Sequence, residues 1–529
     1  MTLTNYKYSL LEDHRRRPLL LQVDDSPLGM FAVLEVSREN HKQYCGNLAC
    51  LSKIRLCGFG FILVVTILIM ASYVLAGERK GLLLTPLPYN FGSTLVSPGA
   101  SLTFNLSTPM GLAKIKQVVR NIVSKVEFSP RKRPDLEELV HSEPHMFSVI
   151  PQKFLPGVKN PCWYEEHSGN ITANPYRKNQ YARYSKRFRN VFDYLRNAFR
   201  EHFFKRNGKY FRIRCLPYFY IIGQPKCGTT DLYDRLRLHP EVRFSIFKEP
   251  HWWTRKRFGI IRPNEAFHDR YPVEDYLDLF DLGAYQIQDS LTVNASSGPK
   301  QHNIIIGEAS ASTMWDNNAW TFFHDNTATN RDEPPFLIQD YVHALQPDAR
   351  FIAILRDPVE RLYSDYLYFG ITNKSAEDFH EKVTESLQLF EGCLQEFSIR
   401  SCVYNSTLNS AMPVRMQVGL YIVYILDWLT VFSREQLLIL RLEDHASNRK
   451  FTMHKVFSFL KLGPLTEQKE AEITKSPASN TRRLADKNLG PMLPLTREIL
   501  RDFYLPFNKK LAKVLRDGAF LWESRSKAV

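Results

Sequence analysis

The chain has 529 residues, carries a formal net charge of +15 and is 44% hydrophobic. That length allows one large domain with accessory segments, and the apolar content speaks against a wholly disordered chain. The basic balance favours acidic partners, whether nucleic acid, anionic lipid, phosphorylated cofactors or polyanionic sugars, and composition alone does not choose among them.

Residues 1–55 read as a mixed-charge cytosolic tail containing Arg15-Arg16-Arg17. Leu56–Ala76 follows without a charged residue. At about 1.5 Å of rise per residue it is long enough to cross a hydrocarbon core of about 30 Å. The long tail before it argues for a signal anchor rather than a cleaved signal peptide. Flanking charges (Lys53 and Arg55 before; Glu78, Arg79 and Lys80 after) orient it only weakly. The Asn-x-Ser/Thr triplets at Asn105, Asn170, Asn294, Asn373 and Asn405 all lie after it, which suits a lumenal C-terminal region and a single-pass type II membrane glycoprotein. Residues 77–145, punctuated by Pro and Ser, read as a lumenal stem, and residues 146–529 as the folded lumenal domain.

Five of the eight cysteines, Cys162, Cys215, Cys227, Cys393 and Cys402, would face an oxidising lumen. The Cys393–Cys402 spacing closes a short loop, Cys162–Cys215 is a second candidate pair, and the odd count points to Cys227 as the free thiol. Residues 176–214 are strongly basic, and Phe188, Val191, Phe192, Leu195 and Phe199 recur at helical spacing. They predict an amphipathic helix with a cationic face, which is either simply solvated or a polyanion-binding surface.

Phe219–Ile222 predicts a buried strand, Gly223, Pro225 and Gly228 a tight turn, and Thr229–Leu238 a helix closed before Pro240. A strand, a glycine turn and a helix N-terminus form an anion cradle, because unpaired amides and the helix dipole both favour negative charge. Lys226 adds a full positive charge inside the turn. The order is not that of the nucleotide-triphosphate P-loop, whose lysine follows the second glycine. Here Lys226 precedes Gly228, and Thr229 and Thr230 follow. Further apolar runs at Ile304–Ile306, Phe351–Leu355 and Leu437–Leu440 alternate with helical stretches at Val359–Phe369 and Lys450–Leu460. This pattern predicts an α/β fold, a parallel sheet flanked by helices.

Two further segments carry chemistry. Arg356-Asp-Pro follows the Phe351–Leu355 run, placing a guanidinium at a strand's C-terminal end, where open α/β sheets bind ligands and where it can fork onto phosphate oxygens. Ser364 follows two helical turns later. Lys248-Glu-Pro-His-Trp-Trp253 supplies Glu249 and His251.

The run Pro225-Lys-Cys-Gly-Thr-Thr230 resembles the 5′-phosphosulfate loop of sulfotransferases, and Arg356-Asp-Pro with Ser364 resembles their 3′-phosphate segment. The Lys-Glu-Pro-His-Trp-Trp run is similar to the Lys-Glu-x-His-Phe-Phe of Golgi carbohydrate sulfotransferases. The resemblance covers roughly residues 146–520. It implies the sulfotransferase fold, 3′-phosphoadenosine 5′-phosphosulfate (PAPS) as donor, no required metal, and a Golgi membrane location with the catalytic domain lumenal.

It also implies the C6 hydroxyl of GalNAc 4-sulfate in chondroitin sulfate A and dermatan sulfate as acceptor, giving chondroitin sulfate E units. Nucleic acid is not an expected partner, and a homodimer is left open. By the same resemblance, Glu249 would be the catalytic base with His251 beside it, and Lys226 would be catalytic too, neutralising charge that grows on the donor. Lys226, Cys227, Gly228, Thr229, Thr230, Arg356 and Ser364 would hold the cofactor. Two places depart from the family pattern. Ala309 stands where Gly-Glu is often followed by lysine, and Ser476–Arg483 replaces the usual Lys-Gly-Arg loop, leaving Arg482 as a weak substitute. The alternatives are another glycosaminoglycan position, a kinase-like phosphoryl transferase lacking its lysine, and a non-enzymatic polyanion-binding Golgi protein.

Overall fold

In chain order the first sheet is antiparallel and small, and the second parallel and central. The computed structural model describes residues 109–184, 186–260, 269–295, 303–322, 332–370 and 374–523. The tail, the 56–76 segment, the first part of the stem, Cys45, Cys50, Cys57 and the sequons at Asn105 and Asn373 lie outside them. Among the described residues no helix is long and apolar enough to cross a membrane.

Helix α1, Pro109–Ser124, falls within the expected stem but is part of the folded body. Ile115, Val119 and Ile122, at helical spacing, are buried in the main core. Nearby Arg131 is likewise buried against Asp340 at 2.6 Å. Residues 109–145 are therefore not a free stem. Their 3.6-residue periodicity outweighs the Pro and Ser punctuation.

The basic stretch is also more than a helix. α2 covers only Lys186–Glu201, burying Val191, Phe192, Leu195 and Phe199. Around it run β1 (Cys162–His167), β2 (Phe204–Arg206) and β3 (Lys209–Cys215), in the order β1-β3-β2. Disulfides join Cys162 to Cys215 and Cys393 to Cys402, and Cys227 is a buried free thiol. Arg212 and Arg214 turn inward. Arg214 meets Asp278 at 2.8 Å and Asp281 at 2.7 Å. A strand that alternates its faces carries part of the basic charge into ion pairs, while α2 leaves Arg189 and Arg200 exposed opposite its buried apolar face.

The parallel sheet has five strands in the order β5-β6-β4-β7-β8. They are β4 (Phe219–Gly223), β5 (Val242–Phe244), β6 (Ile305–Ala309), β7 (Arg350–Leu355) and β8 (Leu437–Arg441). Helix α3 (Thr229–Leu236) follows β4, and α4 (Pro358–Phe369) follows β7. β4 and β6 are buried at every position, as expected for strands covered on both faces. In the β4–β6 register Phe219 faces Gly307, where a Cβ would sit 2.3 Å from the Phe219 ring, so only glycine fits. The chain moves from β4 out to β5, returns through β6, then crosses to β7 on the other side of β4. That reversal opens a crevice at the strands' C-terminal ends, which in sheets of this kind holds ligands.

Candidate active site

The β4 turn begins the site. Gly228 has φ +91°, so the turn needs glycine for its conformation, and a Cβ there would press on the tip of Leu442 at 2.7 Å. The first backbone bond of α3 runs from the Leu232 N–H to the Gly228 carbonyl at 3.2 Å. The amides of Gly228, Thr229 and Thr230 thus precede the helical ladder and have no acceptor within it. Cys227 differs from its neighbours. Its amide donates to the Gln224 carbonyl at 3.2 Å, and its Sγ sits 3.8 Å from the Tyr421 hydroxyl. Burial pushes the thiol up to about 12, so it stays protonated and packs as core.

Lys226 takes a left-handed conformation at φ 66° and lays its ammonium 3.4 Å from the centre of the Tyr368 ring. Burial lowers its pKa, Asp365 opposes that, and Arg483, Arg415 and Arg356 lower it further, to about 8. Tyr368 lies on α4 near Asp365. Asp365 accepts from Arg415 Nε at 2.9 Å and from its Nη2 at 2.6 Å, and stands 3.6 Å from buried Arg361. Around Lys226 the cations Arg483, Arg415 and Arg356 outnumber the carboxylates Asp365 and Glu360, which suits a polyanionic ligand.

Arg356 leaves β7 at the same end of the sheet and lies 3.7 Å from Glu360, which also pairs with Arg497. Ser364 is half-buried on α4. Arg482 stacks over Tyr363 at 5.7 Å, whereas its neighbour Arg483 reaches Tyr368 at 5.2 Å and so shares the ring that Lys226 contacts.

Across the crevice the segment after β5 carries Lys248, Glu249 and His251. The Glu249 amide donates to the Ala309 carbonyl at 2.9 Å, tying this segment to the end of β6. Glu249 and His251 adopt φ of 59° and 51°, a left-handed conformation costing about 1–3 kcal/mol each for such residues. Lys248 Nζ donates to Glu249 Oε1 at 2.5 Å, and His251 Nε2 lies 3.4 Å from Glu249 Oε2. Burial pushes the Glu249 carboxyl up, but Lys248 and His251 outweigh it and hold it below the usual carboxylate range.

Behind them, His251 Nδ1 pairs with the Ser312 hydroxyl at 2.7 Å, and the His251 amide donates to Ser310 Oγ at 3.1 Å. Ser310 in turn donates to Glu308 Oε1 at 2.6 Å. Glu308 is pushed up to about 7 by burial, against the pull of Ser310 and His251. Trp252 and Trp253 are buried, and their indole N–H groups bond Tyr271 and Tyr276. They anchor the segment and are not open to a ligand.

The sulfotransferase-domain family matches residues 216–494, more than half of the chain and all of the parallel sheet. The chain belongs to the sulfotransferase family. Carbohydrate sulfotransferase 15 of Homo sapiens is 59% identical over 522 residues, spanning 96% of this chain and 92% of that protein. Its Mus musculus counterpart is 58% identical over the same shares. A Nototodarus sloanii protein of that name is 40% identical over 139 residues, covering 26% of this chain and 87% of that one.

Lys226, Arg356, Arg415 and Arg483 are thus electrostatic neighbours in this sulfotransferase, and Glu249 and His251 are in contact with each other. Sequence reasoning missed Lys248, Asp365, Tyr368, Arg415 and Arg483. The i, i+4, i+7 spacing of Arg361, Asp365 and Tyr368 on α4 was a readable signal for one face. Arg415 sits in no motif. Among the described residues no group of three or more His, Cys, Asp or Glu could hold a metal ion.

Proposed function

We propose that the chain transfers a sulfuryl group from PAPS to a carbohydrate hydroxyl, namely C6 of GalNAc 4-sulfate in chondroitin sulfate A and dermatan sulfate. The observation that carries this reading is a lysine in a glycine turn under the influence of three arginines, with a contacting glutamate–histidine pair at the C-terminal end of the same sheet. The near-full-length likeness to proteins named carbohydrate sulfotransferase supports it.

The residues present fit the donor's anionic end. Lys226 and the amides of Gly228, Thr229 and Thr230 would bind the 5′ side, and Arg356 with Ser364 the 3′-phosphate, with Arg482 or Arg483 closing over them. When bound, PAPS supplies the sulfuryl group and a phosphate leaving group. Lys226 offsets negative charge that grows on the donor side. Glu249, ionised at neutral pH, accepts the acceptor hydroxyl's proton, and Lys248 and His251 fix its two oxygens. Holding donor and hydroxyl in line supplies much of the rate.

By the same reading the protein is a type II Golgi membrane enzyme with its catalytic domain in the lumen. Incubating the full chain with labelled PAPS and chondroitin 4-sulfate, then analysing disaccharides, tests the reaction. The expected product is a 4,6-disulfated unit. Label at another position moves the acceptor site, and no label in any sugar sinks the enzymatic reading.

A further inference from the structure

An acceptor that already carries a sulfate brings a second anion into the crevice. In GalNAc 4-sulfate, C4 and C6 both flank C5, so the resident sulfate sits beside the reacting hydroxyl. A site for it needs a cation on the acceptor side of Lys226. β6 ends there in buried Ala309, which brings no charge. Lys248 is committed to Glu249 at 2.5 Å, and Arg255 to Asp316 at 2.9 Å. Arg356 leaves β7, on the far side of β4 from Glu249.

Arg415 is differently placed. Its guanidinium lies 5.6 Å from the centre of the Trp315 ring, in the segment that leaves β6 and carries Ser310 and Ser312. It also lies 4.4 Å from the ring of Phe369, which is 45% exposed at the end of α4. Asp365 grips it through Nε and Nη2 and so fixes the plane of the fork. Its backbone carbonyl is held by Arg361 at 2.7 Å. Asp365 is shared among Arg415, Arg361 and Lys226. Arg415 thus bridges the β6 segment that supports His251 and the α4 face that meets Lys226. It is a rigid, partly exposed guanidinium (19% of the side chain) between donor and acceptor sides. Planar guanidinium recognises tetrahedral oxyanions better than ammonium does.

We propose that Arg415, clamped by Asp365 between Trp315 and Phe369, binds the sulfate already present on the acceptor sugar and makes the enzyme select pre-sulfated chains. The inference rests on the acceptor reading above. The test compares full-chain wild type, Arg415→Gln and Arg415→Lys on chondroitin 4-sulfate and on chemically desulfated chondroitin. Affinity for adenosine 3′,5′-bisphosphate and melting temperature are measured alongside.

A lost charge-assisted contact is expected to cut the preference for the 4-sulfated chain by about 10- to 100-fold in Arg415→Gln. Nucleotide affinity should stay within about twofold, an effect under 0.5 kcal/mol. Arg415→Lys keeps a charge beside Asp365 and loses the fork, so it should melt like wild type and still lose part of the preference. If Arg415→Gln fails to fold, that second variant decides alone. An unchanged preference in a folded variant, or nucleotide affinity falling in step with activity, overturns the assignment. A wild-type chain that leaves chondroitin 4-sulfate unmodified overturns the acceptor reading itself, which separates the two failures.

Discussion

The two sides of the crevice are built on different principles. The β4–β7 side gathers Lys226, Arg356 and Arg483 with few acids, and its lysine is pushed down to about 8 by burial and by neighbouring arginines. The β5–β6 side closes its charges on itself: Lys248 on Glu249, His251 on Ser312 and Glu249, Ser310 on Glu308. The first side carries an excess of positive charge that suits an anion. The second is a hydrogen-bonded chain that holds one carboxylate ionised and still. A group that must bind a polyanion benefits from unbalanced charge, while a base benefits from fixed orientation, so the contrast matches the division of labour proposed above.

Breaking the second side should have the larger effect. Glu249→Gln keeps shape but cannot take a proton, so kcat should fall by about 10²–10⁴ with nucleotide affinity retained. His251→Ala is the control for the rival base. Should Glu249→Gln keep most of its turnover while His251→Ala loses it, the histidine is the base. On the first side, Lys226→Ala should lower the rate by about 10²–10³ and leave folding intact, because the contact its ammonium makes with the Tyr368 ring at 3.4 Å is worth only about 0.5–2 kcal/mol. Activity within threefold of wild type removes Lys226 from the chemistry. Arg356→Ala should weaken binding of adenosine 3′,5′-bisphosphate by roughly 10- to 100-fold, as read by calorimetry, with acceptor KM little changed. An unaltered nucleotide affinity counts against the 3′-phosphate assignment.

The contrast also governs what the amino-acid order disclosed. The β4 turn, the β7 end and the Lys-Glu-Pro-His segment are contiguous, so strand, turn and helix could be read locally, and the observed strands fall within a few residues of the expected ones. Arg415 and Asp365 meet across 50 positions of chain, and neither lies in a motif that names the other. Choosing between Arg482 and Arg483 depended on which residue of an irregular loop faces Tyr368, and no period fixes that. The basic 176–214 stretch was legible only in part, for a related reason. Arg212 and Arg214 find Asp278 and Asp281 only once β3 packs on a distant helix. Charge counted along the chain cannot distinguish a solvated cation from a buried pair.

The smallest expected effect separates the two sides by their response to pH. Lys226 carries its proton below about 8 in the free protein and loses it above. A bound anion would hold that proton in place, so binding above pH 8 requires proton uptake, and affinity should fall by up to about tenfold per pH unit there. Calorimetric titration of adenosine 3′,5′-bisphosphate at pH 7, 8 and 9, at constant ionic strength, measures this. In Lys226→Ala the slope should flatten, since the neighbouring arginines stay charged throughout. Glu249 behaves in the opposite sense. Its carboxyl lies below the usual range because Lys248 and His251 outweigh burial, so it stays ionised on mild acidification. Lys248→Met removes the nearer cation and lets burial raise the carboxyl. The acid limb of kcat/KM should therefore move to higher pH in that variant, while the alkaline dependence of nucleotide binding stays where it was. If Lys248→Met shifts the alkaline dependence instead, or leaves the acid limb unmoved, the two sides are not electrostatically independent, and the ion pair with Lys248 is not what holds Glu249 ready.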